Sequence, residues 1–219
     1  MIIDKEKKYL LSEAVELVKQ SAKAKFDEGV ELHLSLGIDS KKGDQQVKGA
    51  VHLLHPVKEI RIAAFVASSD KVKEVKDAGA DLIGGEELVK KIKGNKKCNF
   101  DLAVAEPSMM KHLAQIARIL GPRGLMPTPK SGTVTEHIGK VIAEFKKGKI
   151  NFKNDQGGNI HQLIGKVSWS DEQLIDNIDI FVKTINKNKP AGCKGIFIKN
   201  VTVASTMGQG IKLDLTKII

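Results

Sequence analysis

The period of the hydrophobic pattern changes twice along this chain, and that limits what it can fold into. Val30, Leu32, Leu34, Leu36 and Ile38 alternate with Glu31, His33, Ser35 and Gly37. Period two predicts a strand with one face buried and one face wet. The middle of the chain reads differently. Ile60–Ala67 (IRIAAFVA) and Asp101–Ala105 (DLAVA) are apolar on both parities, with a short pulse at Leu82–Ile83. Helical spacing occupies 70–78, the region 85–93 and Met109–Leu120. Strands apolar on both faces that alternate with helices predict a parallel sheet covered on both sides. After Lys149 the alternating style returns: Ile150, Phe152 and Ile160–Val167 are strand-like. Asp171 is placed to cap a helix with a stripe of Leu174, Ile175, Ile178, Phe181, Val182 and Ile185. Ile196, Ile198, Val201 and Val203 predict a strand running on to Ser205.

Neither end segment holds enough sheet to be stable alone. The expectation is therefore a mixture of α/β and α+β in two domains. Residues 1–56 and 149–219 make one open-faced α+β domain, in which a helix over 12–24, with Ser12 as N-cap, joins the sheet. Residues 57–148 make an inserted, doubly wound α/β unit. The two crossings near 56 and 149 would serve as a hinge.

The 219 residues include 36 Lys+Arg and 26 Asp+Glu, a formal charge of +10. That points to a polyanionic partner, although a lysine-rich solvated surface gives the same number. Of the basic residues only Arg61, Arg118 and Arg123 are Arg, and Lys suits phosphate contact better than bidentate base reading. Residues 1–56 carry nine basic and nine acidic side chains, 57–148 seventeen and eleven, and 149–219 ten and six. Neither predicted domain is thus marked as the sole binding surface. Aromatics at 4% argue against an aromatic stacking platform. Two cysteines, Cys98 and Cys193, exclude a disulfide framework and fit a reducing, cytoplasmic setting. No apolar run approaches a membrane span. The first residues, MIIDKEKKYLLSEAV, lack the basic-then-apolar pattern of a secretory signal.

Catalytic signals are poor. The stretch Gly124–Ser131 has no glycine directly before Lys130, and two prolines remove donors that a phosphate cradle would use. Gly165-Lys166 is followed by Val167. No G-x-G-x-x-G follows either apolar strand. His52 and His55 lack further ligands for a metal. An enzyme built on the α/β unit would need a phosphate loop that this sequence does not contain. No cofactor, metal or catalytic residue is assigned.

Three stretches remain. Leu120–Thr133 packs three glycines and three prolines into an ordered loop, read first as a structural crossover and second as a platform for Arg123 and Lys130. Asn151–His161 reads as a hairpin with Asn-Asp-Gln-Gly-Gly at its turn. In Val203–Gly210, glycine permits close approach, Thr206 offers a hydroxyl and Met207 a flexible apolar contact.

These stretches, with AKF at 24–26, LGID at 36–39, DQQVKG at 44–49, GPRGLMPTPKSGTVT at 121–135, FKNDQGGNIHQLIGKV at 152–167, KPAGCKGIFIK at 189–199 and STMG at 205–208, resemble ribosomal protein L-one of the large subunit in its bacterial form. The resemblance covers essentially the whole chain in order. It implies a domain I made from both chain ends and a Rossmann-like domain II inserted between them. It implies a non-enzymatic cytoplasmic protein of the ribosome, monomeric when free. Such a protein binds large-subunit rRNA at the mobile stalk, near exit-site tRNA, and aids release of deacylated tRNA. Many members also repress translation of their own mRNA. Carried over residue by residue, the RNA-binding face comprises Lys25, Phe26, Glu31, Lys153, Asp155, His161, Lys166, Ser205, Thr206, Met207 and Gly208. Lys would meet phosphates, the hydroxyls and Glu31 would meet riboses or bases, and Phe26 and Met207 would give apolar contact. Phe26 also reads as part of the core, and Asp155 as a turn cap. Ahead of the first helix the chain carries only Lys5, Lys7 and Lys8, fewer basic residues than family members often have there. Its ending, LDLTKII at 213–219, is apolar for a loose tail.

Overall fold

A computed structural model describes residues 4, 7–40, 42–67, 69–95, 97–193 and 195–215. Lys5 and the last four residues of LDLTKII lie outside these, as does the Lys130 side chain. In chain order the elements begin α1 (Leu11–Ser21), β1 (Gly29–Leu36), β2 (Lys48–His52), β3 (Ile62–Phe65), α2 (Ser69–Asp77), β4 (Leu82–Gly84), α3 (Glu86–Asn95) and β5 (Leu102–Ala105). There follow α4 (Met110–Leu113), α5 (Ala117–Leu120), α6 (Ile138–Lys146), β6 (Lys149–Lys153), β7 (Asn159–Lys166), α7 (Asp171–Lys187), β8 (Ile198–Ser205) and β9 (Ile211–Lys212). The chain divides into two compact units, one from the described residues of Met1–Val57 and Ile150–Ile219, the other Lys58–Lys149.

In the first unit β1 lies between β7 and β8, both antiparallel to it, and β9 extends the sheet beyond β8. The alternation of β1 decides what is covered. Val30, Leu32, Leu34 and Leu36 are buried among Ala14, Val15 and Val18 of α1 and Leu174, Ile178, Phe181 and Val182 of α7. Burying a side chain of this size stabilises by about 1.5–3 kcal/mol, which is why this face sets the register. Leu213 continues into the same core and bridges to Tyr9, so the start of the apolar ending is structural.

Several local expectations are corrected. Leu10, not Ser12, occupies the cap position of α1, and no side chain caps it. The cap of α7 is Ser170, in a reciprocal box with Gln173; Asp171 is the first helical residue, where its charge suits the helix dipole. Ile196 stands outside β8 and is 75% exposed. The hairpin reading also changes. The turn does close, with Asp155 N–H bonded to Asn159 O at 2.8 Å. Yet β6 pairs with β2 in a separate two-stranded sheet, whereas β7 joins β1.

The second unit has a parallel sheet in the order β4-β3-β5. Its strands are covered on both faces, as their apolar runs require. Ala63, Phe65, Ala103 and Ala105 pack with α3 and the region 109–120; Ile62, Ala64 and Val104 pack with Val75 of α2 and Ile138, Ile142 and Phe145 of α6. The expected helix over 109–120 is α4 and α5 with tight 3-10 turns beside and between them, but Met109, Leu113, Ile116 and Leu120 stay buried on one stripe. The loop after α5 is a structural crossover. Leu125 and Met126 pack on the core, Thr128, Ser131 and Thr133 bond one another, and Val134 bridges to Ala105.

At the C-terminal end of β5 the buried Glu106 carboxylate accepts from Ala67 N at 2.8 Å and Lys71 Nζ at 2.7 Å. Burial opposes its charge, but the Lys71 ammonium and the Ala67 N–H outweigh burial and keep the carboxyl below its ordinary range. Open α/β sheets receive phosphates at such strand ends. Here a carboxylate already occupies the donors.

Candidate nucleic-acid interface

The second face of the four-stranded sheet is polar because β1 alternates. Register sets Glu31 between Leu163 and Ala204, His33 between His161 and Thr202, and Ser35 between Asn159 and Asn200. A bulge after Val30 shifts the β7 register, so that Lys166 comes opposite Gly29. Lys166 pairs with Asp27 at 3.5 Å.

One corner of this face is built around Glu28, which is 2% exposed. Its carboxylate accepts from Ala24 N at 2.9 Å and from Met207 N at 3.1 Å. It thereby ties the loop before β1 to the turn after β8, across nearly the whole length of the chain. The Ala24 N–H foremost, then the nearby Ser205 hydroxyl and the Met207 N–H, hold this carboxyl below its ordinary value. The stability this clamp adds is thus present above the unfolded value near 4.5 and is lost as pH falls through the lower folded value. The backbone amides of Ala24 and Met207 should stay fixed from neutrality down to about pH 4.5. They should move together below it in an NMR titration; movement of both near pH 6 would contradict the clamp.

Around the clamp, Thr206 N–H bonds to Gly29 O at 3.0 Å. The Thr206 hydroxyl accepts from Gly29 N at 3.0 Å and can donate to Gly29 O or to Glu31 Oε1. A Cβ on Gly208 would meet Ser205 Oγ at 2.3 Å, so only glycine fits that turn without a shift. Phe26 is 57% exposed and Met207 75%, two large apolar side chains left in water.

The structure thus brings Phe26, Glu31, Lys166, Thr206, Met207 and Gly208 to this corner, with Lys25 exposed on the loop beside Phe26. His161 lies farther along the same face. Phe26 belongs to the surface and not to the core. Asp155 caps its turn, accepting from Asn159 N at 2.7 Å; that N–H above all keeps its carboxyl below the ordinary value. Lys153 ends β6, in the other sheet. Ser205 is corrected from contact to support. It is 3% exposed beneath the turn, and its Oγ makes no hydrogen bond of regular geometry while lying close enough to Glu28 to favour that charge. Sequence reasoning passed over Glu28, His33 and Thr202. Glu28 shares the buried parity of Val30 and Leu32, and a carboxylate on that parity signals a buried partner. His33 and Thr202 share the wet parity.

Among the described residues no group of three or more His, Cys, Asp or Glu could hold a metal ion, and no helix is long and apolar enough to cross a membrane. The profile of the Ribosomal protein L1p/L10e family matches residues 18–209. The large ribosomal subunit protein uL1 of Fervidobacterium nodosum is 48% identical over 215 residues, covering 98% of this chain and 91% of that protein. The protein of the same name from Kosmotoga olearia is 46% identical over 219 residues, covering 100% and 94%. With its wet sheet face, its clamped corner and likeness at this level over its full length, the chain belongs to the Ribosomal protein L1p/L10e family, a family of ribosomal proteins and not of enzymes.

Proposed function

We propose that this chain is a constituent of the large ribosomal subunit in the cytoplasm, and that its first unit binds large-subunit rRNA at the mobile stalk. The observation that carries this is the Glu28 clamp. It fixes two exposed apolar side chains, a hydroxyl and a close-approach glycine at one end of a polar sheet. RNA helices display a wide, shallow minor groove of ribose hydroxyls, and a surface of shape and hydroxyls suits them. Lys25 and Lys166 would position the backbone, while Thr206 and Glu31 would face hydroxyls. The second unit, with eighteen basic against eleven acidic side chains over 58–149, offers charge to exit-site tRNA and so aids its release. A similar fold in the chain's own mRNA would meet the same face, which is the route to translational repression.

The test is binding to a stalk RNA fragment titrated with salt. Wild type should bind tightly and specifically. Thr206→Ala combined with Met207→Ala should weaken binding by more than about tenfold, 1.4 kcal/mol. Its salt slope should stay unchanged, because no phosphate contact is removed. Equal binding to all RNAs with a steep salt slope would reduce the surface to an electrostatic one and overturn the proposal.

A further inference from the structure

The open face carries a second feature, away from the clamped corner. Register places His161, His33, Thr202 and Lys212 in one row across β7, β1, β8 and β9, and Asn159, Ser35 and Asn200 in the next but one along the strands. Between the rows lies a depression of about 110 Å³, lined by His33, Leu34, Ser35, Asn159, His161, Asn200 and Thr202. Apart from Leu34, each of these side chains can donate a hydrogen bond, and none carries a fixed charge.

The two imidazoles meet in a particular way. Their Nδ1 atoms are 2.9 Å apart and the rings stand edge to face with centroids 5.0 Å apart. Such a contact needs one donor and one acceptor, so at least one Nδ1 is bare. A second proton would set two N–H groups against each other. Behind each ring stands a carboxylate: Glu31 Oε2 is 3.9 Å from His33 Nε2, and Asp155 Oδ2 is 3.6 Å from His161 Nε2. Burial first, then His161, keeps the His33 imidazole below its ordinary value, against the pull of Glu31.

We propose that this depression is a subsite for one backbone phosphodiester of the bound RNA, and that His33 and His161 take up a proton from solvent when the phosphate enters. The proposal rests on the RNA reading of this face and names a contact within it. A phosphate oxygen replaces the facing imidazole as the acceptor for Nδ1–H, giving a charge-assisted bond. The charged groups facing the pair are Glu31 from β1, Asp155 from the turn before β7, and Lys212 at the end of the row on β9. Thr202 and Asn200, the β8 residues that line the depression, are uncharged. The two carboxylates favour imidazolium but oppose a bare phosphate, so the added proton is what lets the anion sit there.

The test is the affinity for the stalk RNA fragment from pH 8 to pH 5.5 at fixed ionic strength. For wild type the affinity should rise on acidification by about tenfold per pH unit at its steepest, as one linked proton requires. His33→Gln and His161→Gln should lose the slope and bind at every pH no more tightly than wild type does at pH 8. A flat wild-type profile overturns the proposal, as does a slope that survives in both variants. Wild type that fails to bind at every pH overturns the RNA reading itself, and this subsite with it. The imidazole nitrogens, followed by NMR at pH 6, give a second arm. Resonances that move with RNA and stay put with inorganic phosphate at equal phosphorus concentration assign a backbone phosphodiester. Equal movement with both makes it a free-anion site and overturns the assignment.

Discussion

Glu28→Gln should cost the chain about tenfold or more in affinity for stalk RNA while leaving its fold intact. The carboxylate receives two backbone N–H groups, from Ala24 and from Met207. A glutamine amide has one oxygen, so it can receive one of them. Its NH2 group then faces the other N–H, donor against donor. One of the two segments is released, and with it the fixed placement of Phe26 or of Met207. A binding constellation held loosely loses affinity even when every contact residue is still present. No lysine is removed, so the salt slope should match that of wild type. The measurement is an RNA titration alongside a backbone NMR spectrum. Shifts confined to 22–29 and 204–209 with weakened binding are the expected pair. A variant that binds as wild type does would show that the clamp does not position the interface.

The same residue shows how far the sequence could be read. Alternation in β1 made both faces of the sheet legible, and the wet face followed from Glu31, His33 and Ser35. The doubly apolar runs at 62–65 and 102–105 made the covered parallel sheet legible for the same reason. What was hidden depended on non-local partners. Nothing local in Asn151–His161 says that β6 pairs with β2, because a turn that closes on Asp155 serves a hairpin and a strand change equally well. Capping by Ser170 and not Asp171 turns on one residue of offset, and either type can cap. Helix α6 went unread because its stripe of Ile138, Ile142 and Phe145 follows directly on a loop rich in glycine and proline. Of the candidate site, the residues that touch solvent were legible by resemblance. Glu28, which organises them, was legible only by its parity.

Asn177→Ala should be among the most destabilising single substitutions of a polar side chain in the first unit, by about 3 kcal/mol. Asn177 is fully buried on α7. Its Oδ1 accepts from His55 N at 3.1 Å, and its Nδ2 donates to His55 O at 2.9 Å and to Ile164 O at 3.0 Å. His55 lies beyond the end of β2, where no ladder can satisfy its backbone, and the unit's first segment ends at Val57. The amide therefore replaces a missing strand partner, matching both the donor and the acceptor of one residue. Alanine would leave His55 N–H and the His55 and Ile164 carbonyls without these bonds and open a small cavity. Asn177→Asp keeps the acceptor but loses both donors and adds a buried charge, so it should be at least as harmful. Asn186→Ala, exposed on the same helix, should change stability by less than about 0.5 kcal/mol. Trp169, the only tryptophan, lies in this unit with its ring 6.4 Å from that of His55, so its fluorescence in a urea titration reports the local transition. A loss below about 1 kcal/mol for Asn177→Ala would mean that water replaces the amide at His55. The segment leaving the sheet would then be held by Val57 and Leu53 packing and by the His55 side chain, and not by a backbone tether that sequence periodicity cannot reveal.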